Sequence, residues 1–209
     1  LNSLKDVDVE RPYFTWLHML DPAPKYLEHL NVPRFGRNII AQYDHELKYV
    51  DEQLDRLISA LKQRDDWWKT VLIVTSEQGS NLVANIGSPT PGKLAQTVQK
   101  VPLFIRIPGI RARPIDAPVS ATQIAQTVIE LALKGQRSNE TPLNSLLRFL
   151  QRTSVEEPLP ILTELLTARN DQFSLSFIEK EQKLVYDGEQ RGWRLYNLST
   201  DPDEKQDMY

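Results

Sequence analysis

One stretch of this chain constrains its fold more than any other: residues 38–64 carry an unbroken helical pattern that runs almost directly into a β-branched strand. Tyr43, Leu47, Val50, Leu54, Leu57, Ile58 and Leu61 recur at three- and four-residue steps, with Asp, Glu, Lys and Arg opposite them. That spacing gives an amphipathic helix with one apolar stripe to bury. Asp65-Asp66 closes the pattern, and Thr70–Thr75 follows with Val71-Leu72-Ile73-Val74 inside it. A short continuous β-branched run reads as a strand buried on both faces. Helix followed by strand is half of a parallel crossover unit. The chain is therefore expected to be α/β, with a mostly parallel sheet flanked by helices.

The flanking segments extend this reading. Pro12–Leu20 is β-prone and enters the breaker segment Asp21-Pro22-Ala23-Pro24, so a strand followed by a loop is expected. Residues 81–100 are punctuated by Gly87, Pro89, Pro91 and Gly92 and read as a loop, and Pro102–Ile107 reads as a second core strand. Ser120 with Gln123 three residues later forms a capping-box signal for a helix through Leu131, with Gly135 at its end. Short helical stretches are expected at 143–150 and 161–168. Phe173–Ile178, Lys183–Asp187 and Trp193–Leu198 alternate at period two between charged turns, the pattern of a small antiparallel meander. The expected division is 1–137 for the α/β core portion and 138–209 for a small α+β subdomain.

Bulk properties exclude several classes. At 209 residues, 40% hydrophobic and 25% charged, the chain has the composition of a folded globular domain. A net charge of −3 and the lack of a basic, aromatic-rich cluster argue against nucleic acid as a partner. No apolar run approaches the roughly 20 residues that cross a bilayer. With no cysteine, thiolate metal sites and cysteine nucleophiles are excluded. The chain opens on Leu1 rather than methionine, and is expected to be a piece of a longer protein.

The residues that could carry chemistry are few. Thr75-Ser76-Glu77-Gln78-Gly79-Ser80 follows the first core strand, and ligands of open α/β sheets gather beyond the carboxyl ends of such strands. Glu77 offers one carboxylate and Gln78 a neutral amide. His18, just before the Asp-Pro turn, is a candidate substrate contact. His45 reads as a solvated surface residue, and His29 has no partner at ligand spacing. Trp67-Trp68 reads as a packing anchor, and Asp51 with Asp55 as a solvated stripe. Lys93, in a glycine-bearing loop, reads as surface on its own, although it can reach an anion at the sheet edge. Zinc-hydrolase, phosphate-loop, dinucleotide and nucleophile-elbow motifs are all missing.

In order along the chain, these segments resemble the carboxyl-terminal half of the sulfatase family of the alkaline phosphatase superfamily. Arg11-Pro12-Tyr13-Phe14 through Tyr26 is similar to "Pro-Phe-Phe … Asp-Pro-His-x-Pro-Tyr", and Tyr43-Asp44 … Val50-Asp51 … Leu61 to the family's "Tyr … Val-Asp … Leu" helix. Thr70–Ser76 resembles the strand entering "Ser-Asp-His/Asn-Gly", and Lys100–Gly109 resembles "Arg-Val-Pro-Leu-Ile-Ile-Arg-x-Pro-Gly". Ala121–Thr127 is similar to "Thr-Asp-Ile-Ala-Pro-Thr", and Trp193–Glu204 to the closing "Glu-Leu-Tyr-Asp-Leu … Asp-Pro-x-Glu".

The resemblance implies a partial alkaline-phosphatase-like fold with a small C-terminal antiparallel sheet. It places Glu77 and Gln78 on the family's metal-ligand positions, Ala23 on the substrate-contacting histidine and Lys93 on the anion-binding lysine. Each of the two ligand side chains is one methylene longer than its family counterpart, so the site reads as degenerate. No cofactor is expected in this chain, or a divalent cation of the calcium or magnesium class if the family site persists. The family nucleophile belongs to the amino-terminal half, which makes that half, or a partner chain, the expected partner. The implied function is an inactive sulfatase-like binding or structural module. The alternative is the C-terminal half of an active sulfuric-ester or phosphoryl-transfer hydrolase acting on a small anionic ester. The resemblance alone favours an extracytoplasmic or membrane-anchored parent.

Overall fold

The computed structural model describes residues 7–8, 10–23, 25–80, 94–133, 145–151, 157–167 and 172–209. The chain divides into two compact units, Leu1–Leu72 and Ile73–Tyr209. The expected boundary at 137/138, together with Gly135, lies outside the described residues.

The first unit is organised by helix α1, Ile39–Lys62. Asn38 caps it: its side chain accepts from the Ala41 N–H at 2.8 Å, satisfying one of the donors a helix start leaves open. The apolar stripe is largely half-buried, with only Leu61 fully enclosed, whereas His45 and Glu46 are fully buried. Beyond the helix, Asp66 gathers two partners. Arg64 donates from Nε to Oδ1 at 2.9 Å and from Nη2 to Oδ2 at 3.0 Å, and the Tyr13 hydroxyl donates to Oδ2 at 3.1 Å. The Arg64 hydrogen bonds hold the Asp66 carboxyl below its ordinary range, against the opposing effect of burial.

Two expectations fail in this unit. Pro12–Leu20 is irregular and forms no ladder with any described strand, because a strand is fixed by its neighbour as much as by its own residues. Its Phe14, Trp16, Leu17 and Leu20 are all exposed. Trp68 is exposed as well, beneath the Lys69 ammonium at 5.7 Å, so the tryptophan pair, on a single 3₁₀ turn, does not act as one anchor.

In the second unit, β1 (Leu72–Thr75) pairs with β2 (Leu103–Arg106), separated by the short helix α2 (Gln96–Gln99). Of the mostly parallel sheet expected, the described residues contain this pair. Helix α3 (Thr122–Ala132) follows; its N-cap is Ala121 rather than Ser120, and of the expected capping box only one half forms, with Gln123 accepting from the Ser120 N–H at 2.8 Å. Helix α4 (Leu147–Gln151) leads to a four-stranded antiparallel sheet of β3 (Ile161–Thr167), β4 (Gln172–Glu179), β5 (Gln182–Asp187) and β6 (Gly192–Asn197).

The meander appears as expected, with one strand more. Residues 161–168 were expected to be helical, yet Ile161–Thr167 pair residue by residue with Gln172–Ile178. Leu162 and Leu166 are exposed while Ile161, Thr163 and Leu165 are half-buried, which is a period-two pattern. Pairing with a neighbour overrides the helix propensity of Leu-Thr-Glu-Leu-Leu. The β5–β6 turn needs its glycine, because a Cβ on Gly188 would stand 2.1 Å from the Phe173 carbonyl oxygen.

The buried face of this sheet is unusually polar. Val185, Tyr196 and Leu94 form a small apolar cluster, yet Lys183, Ser176, Asp187, Arg194 and Glu204 are buried beside it. Each has a partner: Arg194 Nη1 lies 3.1 Å from Asp187 Oδ2, the Gln99 amide donates to Ser176 Oγ at 3.0 Å, and Lys183 lies 2.5 Å from Glu204 Oε1. The Glu204 contact fastens the Asp201-Pro-Asp-Glu tail beneath α2, where Glu204 Oε2 accepts from the Gln96 N–H at 3.2 Å.

Candidate functional site

The loop leaving β1 is shaped by backbone contacts. Thr75 Oγ1 donates to the Pro102 carbonyl at 2.9 Å and Ser76 Oγ to the Gln78 carbonyl at 2.7 Å. The Gly79 N–H donates to the Val98 carbonyl at 2.7 Å, and a Cβ at Gly79 would sit 2.3 Å from the Thr97 carbonyl oxygen. The chain therefore turns away from β1 pressed against the backbone of α2, where only glycine fits.

That turn presents Glu77 and Gln78 side by side and exposed. Among the described residues, Glu77 has no ion-pair or side-chain hydrogen-bond partner and belongs to no group of three or more His, Asp or Glu side chains of metal-ligand size. The two side chains offer one carboxylate and one neutral amide. His18, the other described candidate, is exposed and belongs to the first unit. Lys93 lies outside the described residues.

In the first unit the structure assembles a loop support that the sequence reading misses. His45, expected at the surface, is 4% exposed, and Glu46 beside it is 1% exposed. Glu46 accepts the Ala23 N–H at 3.1 Å and the Leu27 N–H at 2.5 Å. His45 Nε2 accepts the His29 N–H at 2.9 Å, and Nδ1 lies 3.1 Å from the Pro33 carbonyl, so Nδ1 carries the proton. Two consecutive residues of α1 thus hold four backbone groups of the 23–33 segment, which includes the position that the resemblance gives to the substrate histidine. His29, expected to be inert, lies flat on Tyr49, with ring centroids 3.7 Å apart and planes 2° from parallel. Tyr26 meets Tyr43 edge-on at 5.7 Å, and burial, with Tyr26 and Asp44 adding to it, pushes the Tyr43 phenol above its ordinary value. A signal was present: Glu46 falls three residues from both Tyr43 and Tyr49, which puts a carboxylate on the apolar side of the helix.

Comparison with known proteins agrees with this architecture. The Sulfatase family model matches residues 1–134. A sulfatase of Formosa agariphila is 31% identical over 118 residues, covering 56% of this chain and 23% of that protein. The uncharacterized sulfatase YidJ of Escherichia coli K12 is 33% identical over 86 residues, 40% of this chain and 17% of its own length. The fold matches the crystal structure of a putative sulfatase from Bacteroides thetaiotaomicron with a TM-score of 0.70 at 19% identity, covering 81% of this chain and 38% of that one. A phosphonate monoester hydrolase of Silicibacter pomeroyi matches with a TM-score of 0.61 at 20% identity, over 78% of this chain and 37% of that one. The chain spans under a quarter of the curated relatives and about two-fifths of the solved structures. With the family pattern extending over well more than half its residues, the chain belongs to the sulfatase family.

Proposed function

We propose that this chain is a sulfatase-like module that has given up metal-dependent ester hydrolysis and serves a larger protein as a binding or structural unit. The observation that carries this reading is the pair of residues at the turn after β1, where exposed Glu77 and Gln78 are each one methylene longer than the ligand that the resemblance puts there. A family cation demands ligand oxygens within a few tenths of an ångström of their places, and the extra methylene of each side chain moves its oxygen farther than that. Nor does Ala23 offer a hydrogen bond to a substrate anion, since it has only a methyl side chain.

The companion of this module is the amino-terminal half of the fold or a chain that replaces it. Phe14, Trp16, Leu17 and Leu20 support that reading, because a run of large exposed apolar residues marks a surface made to be covered. No helix among the described residues is long and apolar enough to cross a membrane. The extracytoplasmic setting proposed for the parent rests on its family alone.

Two measurements on the full-length protein test the proposal. Calorimetric titration with calcium, magnesium, manganese and zinc is expected to show no binding that depends on Glu77, and aryl sulfate and phosphate esters are expected to remain unhydrolysed. Stoichiometric cation binding lost in Glu77→Ala, or ester turnover lost in the same variant, would overturn it.

A further inference from the structure

Asp21, His29 and Glu46 bring two carboxylates and an imidazole together, with one ligand-capable atom from each lying within 4.8 Å of the others. Glu46 is fully buried, and Asp21 and His29 are half-buried. No lysine or arginine pairs with either carboxylate among the described residues. The nearest charged contact is His29 Nε2 to Asp21 Oδ2 at 4.0 Å, too long for a hydrogen bond. Within the group, the His29 Nε2 atom is shielded from solvent and has no hydrogen-bond partner, although the side chain as a whole is 19% exposed. A buried ring nitrogen facing a carboxylate without a shared proton bond is a donor lacking its acceptor, or a ligand lacking its ion.

The surroundings fix these groups as a metal site requires. The His29 ring is held flat on Tyr49, and its backbone N–H is tied to His45 Nε2. Both Glu46 oxygens accept backbone N–H groups, which orients the carboxylate and leaves each oxygen a second lone pair. Partners of this kind orient metal ligands and raise affinity. Ligands around zinc stand about 3.4 Å apart when each is about 2.1 Å from the ion. The half-exposed Asp21 side chain needs only a small swing to close its 4.0 Å gap to His29. The mixture of one imidazole with two carboxylates suits zinc or manganese better than calcium, which prefers oxygen throughout.

We infer that Asp21, His29 and Glu46 form a three-ligand site for a zinc- or manganese-class divalent cation that pins the 21–29 loop onto α1. It uses neither Glu77 nor Gln78 and goes beyond the function proposed above. Three protein ligands leave a fourth position for water or an anionic group.

Titration of the full chain with zinc chloride alone, followed by calorimetry and thermal denaturation, tests the inference. One zinc per chain is expected, with a rise in Tm. Since removing even an outer-sphere partner typically costs 10- to 100-fold, Asp21→Asn and His29→Gln should each weaken binding on the order of 100-fold. Glu46→Gln is avoided as the sole variant because Glu46 also holds the loop backbone. Glu77→Gln should leave zinc affinity unchanged, which separates failure here from failure of the proposed function. The inference is overturned by any of three results: no zinc binding, binding that survives both Asp21→Asn and His29→Gln, or a clear preference for calcium over zinc.

Discussion

Replacing Glu204 by glutamine should unfold the C-terminal sheet far more readily than its position in the last few residues suggests. Lys183 Nζ lies 2.5 Å from Glu204 Oε1 and 2.5 Å from the Leu94 carbonyl oxygen, with Gln96 Oε1 at 3.4 Å. Neither side chain sees solvent to any useful degree, at 0% and 2% exposure. Burial lowers the Lys183 ammonium's pKa, and Glu204 opposes that shift without reversing it, so desolvation is the larger effect. Removing one partner of a fully buried pair leaves the other charge uncompensated, which costs about 3–5 kcal/mol. For a chain of this size that corresponds to a fall in Tm of about 6–20 °C. The double variant Lys183→Met/Glu204→Gln removes both charges while keeping an acceptor for the Gln96 N–H, and should recover most of the loss. Thermal and urea denaturation of the four proteins closes the cycle. The pH arm has a definite sign: with the folded pKa below 10.5, the unfolded chain binds the extra proton between the two values. Wild-type stability should therefore rise with pH through that window relative to Lys183→Met. A cost under about 1 kcal/mol for Glu204→Gln, as for an exposed pair, would refute the reasoning. So would a double variant as unstable as the sum of the singles.

Asp66→Asn should cost about 2–3 kcal/mol, as hydrogen bonds to a charged group do when they are lost. Because the folded Asp66 pKa is lowered, its contribution is fully present above the unfolded value near 3.8 and disappears as pH falls through the folded one; acid titration of stability should be flatter in the variant. His45→Ala strips partners from the His29 N–H and the Pro33 carbonyl, at about 1–3 kcal/mol for each group left unpaired. Tryptic cleavage at Lys25 and Arg34 should accelerate, and cleavage at the wild-type rate would count against the loop support.

How much of this was legible follows from what each residue depends on. The long helix and the strands at 72–75 and 103–106 were readable because their signals are local: a cap, a stripe, a β-branched run. The meander was readable because its alternation repeats between tight turns. Ile161–Thr167 was not, since Leu-Thr-Glu-Leu-Leu suits either state and its partner β4 decides. His45 and Glu46 were missed for a geometric reason. Adjacent helical residues point about 100° apart, so no spacing rule pairs them. They act together only because the 23–33 segment wraps around that side of α1. At Glu77 and Gln78 the sequence singled out the residues but not their exposure, which depends on what else folds beside them.

The turn after β1 separates two things that a family motif joins: ligands and backbone shape. The side chains of Glu77 and Gln78, on the positions that the resemblance gives to metal ligands, are exposed, whereas Gly79 is pressed against α2, with its N–H 2.7 Å from the Val98 carbonyl oxygen. If the turn exists only to aim metal ligands, and the proposed loss of the cation holds, Gly79 has no task left and alanine should be accepted. If the turn is part of how β1 packs on α2, the demand on Gly79 persists. A Cβ at 2.3 Å from the Thr97 carbonyl oxygen cannot be relieved by turning a side chain, because both neighbours are backbone. Forcing an extra carbon into such a contact typically costs about 1–3 kcal/mol. Glu77→Gln, an exposed change away from any contact, should stay within about 0.5 kcal/mol of wild type. Denaturation of the two variants side by side decides the matter: equal stability would mean that the backbone is free to relax there, and the packing role assigned to Gly79 would be wrong.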